Sequence, residues 1–407
     1  MTEPKHWWVI SALLAGMVGC SLDTNPQGNE GRSADSPDGG SGASTASGSS
    51  GGLGIGTGSG GSGTGTGAGG GSAAPPPSGT GGTTSSGTPS DPGESGEATS
   101  GGTTSGDGTA QPGTLTAGVW DDNRNFDFFS AYRKGMYQSQ APALPPFTLA
   151  EVKEAYERFL QTPGPKQTLD VSLVIDTTGS MSDEIGYLQA EFAALSDAIF
   201  EQYPNAEQRW SLVLYRDEGD AYLTQKHDFV SDKLAFQSTL GGASAEGGGD
   251  TPEAPDEGLA EAATLTWRES DETAKLAFWI ADAPHHVAKA GALAEAVRSL
   301  VGLGVHLYPV ASSGVDELTE ISMRSAAQLS GGRYLFLTDD SGVGGAHKEP
   351  TIPCYFVTKL DDAILRMVDI ELSGTYREPA KEEIIRKGGE PIEGACQLDE
   401  ERSVFVY

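Results

Sequence analysis

Leu169-Asp170-Val171-Ser172-Leu173-Val174-Ile175-Asp176-Thr177-Thr178-Gly179-Ser180-Met181-Ser182 decides how this chain is read. Eight residues rich in Leu, Val and Ile end on an acid, and Gly179 then permits a tight turn. That is a buried strand running into a loop. Ile185, Leu188, Phe192, Leu195 and Ile199 follow on one face at helical spacing, so a helix is expected from about Ser182 to Tyr203. The alternation continues with strand Trp210–Tyr215, a short edge strand Lys226–Val230, helices at about Asp232–Leu240 and Asp256–Trp267, and strand Leu276–Ile280. Helix Ala288–Leu303, strand Val305–Val310, helix Asp316–Leu329, strand Arg333–Leu337 and helix Tyr355–Leu372 close the series, and Ser403–Tyr407 reads as a terminal strand. Strands separated by crossover helices predict an α/β fold, a doubly wound and mostly parallel Rossmann-like sheet.

Such sheets bind ligands beyond the carboxyl ends of their strands. Asp176, Thr178 and Ser180 stand at alternate positions after the first strand. Gly247-Gly248-Gly249-Asp250-Thr251-Pro252-Glu253 brings an acid and a hydroxyl on a glycine loop, and Asp282 follows the strand ending at Ile280. Carboxylates and hydroxyls are hard oxygen donors suited to Mg²⁺, and too few here to enclose it without water or an outside oxygen.

From about Thr168 to Leu372 the pattern resembles a von Willebrand factor type A domain with its metal-ion-dependent adhesion site. The resemblance implies a site made by Asp176, Thr178, Ser180, Thr251 and Asp282, holding Mg²⁺, with Mn²⁺ and Ca²⁺ as alternatives. Thr178 stands where Ser is commoner and keeps the hydroxyl. Asp250 beside Thr251 leaves the ligand from that loop open. The family's chemistry implies an open metal position that a partner's carboxylate fills, hence metal-dependent binding of a protein or other acidic ligand. Two rival readings are a metal-dependent envelope hydrolase, with Asp250 or His285 as base, and a structural module whose metal only stiffens its loops. Ser180 lacks a nucleophile-elbow context, so no enzyme is expected. His285 and His286 lack zinc-type spacing and read as orienting or capping groups.

Composition divides the chain. Residues 21–116 hold 30 of the 57 glycines and no Phe, Tyr or Trp. Such a segment cannot offset its conformational entropy by burial and is expected to be a disordered Gly/Ser/Thr/Pro tether. Before it, Trp7–Gly19 is an apolar run too short to span a bilayer comfortably, and it ends at Cys20. This resembles the lipobox of bacterial lipoproteins, with Met17 where Leu is usual. The resemblance implies a signal peptide 1–19, lipid on Cys20 and a place in the bacterial envelope, with Ser21 favouring the outer membrane. The expected parts are then 1–19, a lipidated Cys20 with linker to 116, a pre-domain segment 117–167, the type A domain 168–372 and an extension 373–407. Cys354 and Cys396 remain as a pair in an oxidising compartment, and a disulfide is expected.

Net charge is 26 minus 57, or −31, of which residues 21–116 carry −7 (eight acids, one Arg). The rest, about −24, argues against nucleic acid and against surface attachment to anionic lipid. Asp121-Asp122-Asn123 reads as a turn or helix cap, with a cation site as the alternative. Arg216-Asp217-Glu218 reads as an internal ion pair near the crevice.

Overall fold

The computed structural model describes residues 110–161, 164–249 and 251–406. The expectations for the signal peptide, Cys20 and the linker as far as residue 109 lie outside these residues, as does Asp250.

In chain order the elements are β1 (Thr116–Trp120), α1 (Phe126–Gln140), α2 (Leu149–Phe159), β2 (Thr168–Asp176), α3 (Ile185–Gln202), β3 (Glu207–Tyr215), β4 (Thr224–Val230), α4 (Lys233–Leu240) and α5 (Pro255–Ala263). Then come β5 (Thr273–Ala281), α6 (Ala290–Gly302), β6 (His306–Ala311), α7 (Glu317–Ser330), β7 (Tyr334–Leu337), β8 (Tyr355–Lys359), α8 (Leu360–Ser373), β9 (Arg386–Gly388), β10 (Ala395–Gln397) and β11 (Ser403–Phe405). One sheet has the order β4-β3-β2-β5-β6-β7-β1-β8-β9, and β10 pairs with β11 separately. Strands β3, β2, β5, β6 and β7 run parallel. The pairs β3–β4, β7–β1, β1–β8 and β8–β9 are antiparallel. The expected α/β sheet is thus present as a mixed one with a parallel centre.

The period of two along β2 sorts its side chains between two cores. Leu169, Val171, Leu173 and Ile175 join Leu188, Phe192, Leu195 and Ile199 of α3 with side chains of α4 and α8. Val174 faces the opposite core with Leu259 of α5, Leu293 of α6 and Met323 of α7. Each fully buried Leu, Ile or Phe contributes roughly 1.5–3 kcal/mol, so helices on both faces anchor the central strand. Because β2 leads to β3 on one side and β5 lies on the other, the strand order reverses at β2, and a crevice opens at its carboxyl end.

Four expectations change. The segment 117–167 is not outside the domain, because β1 sits inside the sheet between β7 and β8. The linker boundary at 116 falls too late: the Glu191 carboxylate accepts backbone N–H bonds from Gly113 (2.7 Å), Thr114 (2.8 Å) and Leu115 (2.9 Å), which fixes the approach to β1. The helix expected from Tyr355 begins only at Leu360, and Tyr355–Lys359 is β8. A strand suits Tyr-Phe-Val-Thr, whose aromatic and β-branched side chains fit a pleated surface. The extension 373–407 also joins the fold, through β9 and through the Cys354–Cys396 disulfide, whose Cα atoms lie 6.2 Å apart. Asn125 pairs its amide with both backbone groups of Phe405, at 2.8 and 3.0 Å.

Candidate functional site

The crevice forms where β2 and β5 end. Asp176 is the last residue of β2 and is fully buried. One oxygen, Oδ1, accepts from Thr178 N at 3.0 Å and from Thr178 Oγ1 at 2.7 Å. Thr178 Oγ1 lies 3.3 Å from Ser180 Oγ, and the Ser180 hydroxyl in turn hydrogen-bonds Asp282, just beyond β5. The four residues therefore form one continuous chain of oxygens across the sheet edge. Gly179 permits the second loop to dock: its N–H bonds Gly247 O at 3.0 Å, and a Cβ on it would lie only 2.7 Å from that same oxygen. Gly247 and Gly248 have positive φ, and Gly248 N–H donates to both oxygens of Asp220, at 3.1 and 3.0 Å.

Of the five residues implied by the resemblance, the structure joins Asp176, Thr178, Ser180 and Asp282. Thr251 is exposed on the second loop, and among the described residues no hydrogen bond ties it to either carboxylate. The same loop contributes a residue not singled out from the sequence. Glu253 is 2% exposed, held by Glu253 N–H to Pro284 O at 2.9 Å and by a parallel bridge to His285.

Burial pushes the Asp176 carboxyl up to about 7, reinforced by Asp282. It pushes Glu253 up to about 8, with Asp176, Asp217, Asp282 and Asp220 adding repulsion, and Asp282 to about 6. Tyr215, whose Oη accepts from Trp279 Nε1 at 3.1 Å, leans toward Asp176 and favours its ionised form. Asp176 Oδ2, Asp282 Oδ1 and Glu253 Oε2 are buried without a hydrogen-bond partner. Buried carboxylate oxygens ordinarily find a donor, and three such oxygens at one sheet edge are compatible with a cation between them. The oxygen donors are of the hard kind. Among the described residues no three His, Cys, Asp or Glu side chains gather closely enough to hold an ion by themselves. Asp176, Asp282 and Glu253 share one field, and the Thr178 and Ser180 hydroxyls complete the donor set.

Residues 170–303 match the family described as von Willebrand factor A domain. This segment is a von Willebrand factor A domain. Such a domain suggests a protein-interaction or adhesion-type role. A putative ariadne-like RING finger protein of Acanthamoeba polyphaga mimivirus is 32% identical over 136 residues, 33% of this chain, which spans 13% of that relative's length. Among solved structures, the conserved hypothetical protein BatB from Bacteroides thetaiotaomicron is 13% identical at a TM-score of 0.32, covering 42% of this chain and 89% of that one. A von Willebrand factor type A protein from Catenulispora acidiphila is 19% identical at 0.31, with 42% and 38% covered. The pilus adhesin SpaC from Lactobacillus rhamnosus GG is 12% identical at 0.31, with 41% and 27% covered.

Around the von Willebrand crevice several further polar residues have partners. His285 is buried, with Nε2 2.9 Å from Ala143 O, an orienting contact of the kind expected. The internal pair expected within Arg216-Asp217-Glu218 does not form. Asp217 meets His286 Nε2 at 2.7 Å and Glu218 meets Lys289 at 3.0 Å, whereas Arg216 donates to Ser244 O at 2.9 Å and lies over the Tyr222 ring. Asp121 and Asp122 are not a cation site either: Arg333 meets Asp121 at 2.8 Å, and Arg324 grips both oxygens of Asp122.

Proposed function

We propose that the crevice holds a divalent cation, Mg²⁺ first and Mn²⁺ or Ca²⁺ as alternatives, and that the chain binds the carboxylate of a protein partner there. Asp176 and Asp282 would hold the ion with the Thr178 and Ser180 hydroxyls, and Thr251 or Asp250 would come from the second loop. A bound cation supplies charge neutralisation and an open position for an outside oxygen. The chain's own residues set the geometry: Thr178 fixes the Asp176 carboxyl through Oδ1 and makes no bond to Oδ2. The single observation that carries the reading is the set of three buried carboxylate oxygens with no donor.

The role is binding, not catalysis. His285 is buried with Nε2 committed to Ala143 O, and the proposal gives it no catalytic step. The address is the bacterial envelope, with lipid on Cys20 as the anchor.

Calorimetric titration of Mg²⁺, Mn²⁺ and Ca²⁺ into the chain, beside its Asp176→Ala variant, tests the site. One-site binding that vanishes in the variant supports it, and binding in neither form sinks it. Mass spectrometry of the N-terminal peptide from a bacterial host tests the anchor: an unmodified Cys20 thiol would reject lipidation.

A further inference from the structure

Beside the crevice lies a short segment that the metal reading does not use. After β7, a single turn of 3-10 helix (Asp339–Ser341) leads into Gly342-Val343-Gly344-Gly345-Ala346-His347-Lys348. This segment packs on two elements that border Asp282 and Ser180. Gly314 N–H, in the loop after β6, bonds Ala346 O at 3.3 Å, and Gly345 N–H bonds Asp183 at the approach to α3. Gly344 has φ +81°, and a Cβ there would overlap the Glu184 carboxylate, so only glycine allows this approach.

Two side chains fasten the segment: Lys348 pairs with the buried Glu320 at its far end, and His347 closes it on the crevice rim. His347 is 2% exposed, and each ring nitrogen faces a carboxylate: Nε2 lies 2.9 Å from Glu184 Oε1 and Nδ1 lies 2.8 Å from Asp339 Oδ1. Neither carboxylate, when ionised, can donate, so both contacts require an N–H on the ring. The geometry therefore fits an imidazolium. Glu184 is buried, and Ser313 N–H also donates to its Oε1 at 3.1 Å. Every titratable group facing the ring from its surroundings is acidic: Glu184 and Asp183 from the start of α3, and Asp339 from the turn after β7. Arg386 of β9 acts on the Asp339 side, where it grips Asp340 at 2.9 Å.

We propose that Gly342–Lys348 is a strap latched to the crevice rim by doubly protonated His347, and that losing one ring proton releases the strap from Glu184 and the Asp282 side of the crevice. Loss of that proton turns one charge-assisted bond into two facing acceptors. The glycines at 342, 344 and 345 give the backbone the freedom to swing. With the strap away, the charge on Glu184, which adds to the repulsion on Asp282, is exposed to water.

Burial disfavours the charged ring, but the bonds to Glu184 and Asp339 outweigh it and raise the imidazole pKa above 6.5. A group raised on latching contributes fully below its free value and loses its contribution as pH rises through the latched one. In that window strap opening releases one proton, so protection of the strap amides falls about tenfold per pH unit beyond the intrinsic change in exchange.

The test is amide hydrogen exchange of the full chain in chelator from acid to alkaline pH, with imidazole ¹⁵N shifts read in parallel. The strap should lose protection as His347 titrates while β2 amides keep theirs, and His347→Gln should leave the strap open at every pH. A ring carrying one proton below pH 6 would overturn the proposal. So would strap protection that follows β2 across the range or survives in the variant. If the variant does not fold, the wild-type shifts and exchange decide alone.

Discussion

Asp121 and Asp122 beyond β1, and Asp176 and Asp282 beyond β2 and β5, are buried almost equally, at 1, 2, 0 and 6% exposure. They lie at opposite ends of one sheet, because β1 runs against β7 and Trp120 pairs with Tyr334 at the start of that strand. The first pair is answered within the chain. Arg333 meets Asp121, and Arg324, itself fully buried, bridges Asp122 and Glu320, with Arg324 to Glu320 at 2.9 Å. The second pair meets only hydroxyls, amides and other acids. The chain answers the first pair with two buried guanidinium groups, whereas Arg216, buried at the crevice end of the sheet, donates to Ser244 O instead, and that asymmetry separates the two clusters.

Removing a guanidinium breaks the comparison most directly. Arg324→Met leaves Asp122 buried without a counter-charge and Glu320 with Lys348 alone, and should cost about 3–5 kcal/mol in denaturant unfolding. A cost under about 1 kcal/mol would show that the cluster is as tolerant as the crevice. The crevice should respond to pH instead. Its carboxyls are raised to about 7, 8 and 6 at Asp176, Glu253 and Asp282. These three carboxyls therefore hold more protons in the folded chain than in the unfolded one above pH 4. Their contribution to metal-free stability should then fall as pH rises from about 4 to about 8, and saturating Mg²⁺ should flatten the curve. A metal-free curve that rises over this range would reject the account.

Asp176→Asn sharpens the contrast further. In chelator it removes repulsion and should gain about 1 kcal/mol while abolishing any Mg²⁺ effect, whereas Asp122→Asn should lose about 1–3 kcal/mol. Equal signs in the two thermal melts would erase the distinction. The smallest effect belongs to an exposed pair. Glu151, held down to about 2 by its hydrogen bond to Arg298, fastens α2 to α6. Glu151→Gln should cost about 0.5 kcal/mol near neutral pH, and that difference should vanish as pH falls from 4.5 toward 2. A difference that persists at pH 2 would assign the loss to packing.

The parallel centre of the sheet and the carboxylates at its edge were legible because both follow from local pattern: β-branched runs ending on acids, then glycine turns, then helical spacing. Asp176, Thr178, Ser180 and Asp282 meet as that pattern implies. Glu253 was hidden, since nothing local distinguishes an acid after Thr251-Pro252 from a solvated helix start. What buries it is its bridge to His285, a contact across 32 positions. The residue-by-residue pairing of acids with bases was likewise illegible. Arg216 sits beside Asp217 in sequence, yet the backbone aims them at different partners. β1 was missed for a related reason. Thr-Ala-Gly-Val-Trp follows directly on a low-complexity stretch, and its Gly118 is tolerated only because the Phe336 ring fills the place a Cβ would take. The signal in β8 was present in Tyr-Phe-Val-Thr and was absorbed into the helix after it.

The position of β1 bears on how the chain reaches its final form. Ala117 pairs with Leu337 on one side and Thr358 on the other, partners more than two hundred positions away. Ribosome or translocon must therefore deliver nearly the whole domain before its earliest strand has anywhere to go. Until then β1 has both hydrogen-bonding edges bare, and without β1 the facing edges of β7 and β8 stay bare as well, open to a strand from a neighbouring molecule. A truncation that removes Thr116–Trp120 would leave those edges bare for good, and self-association rather than a smaller soluble domain is the outcome to watch for.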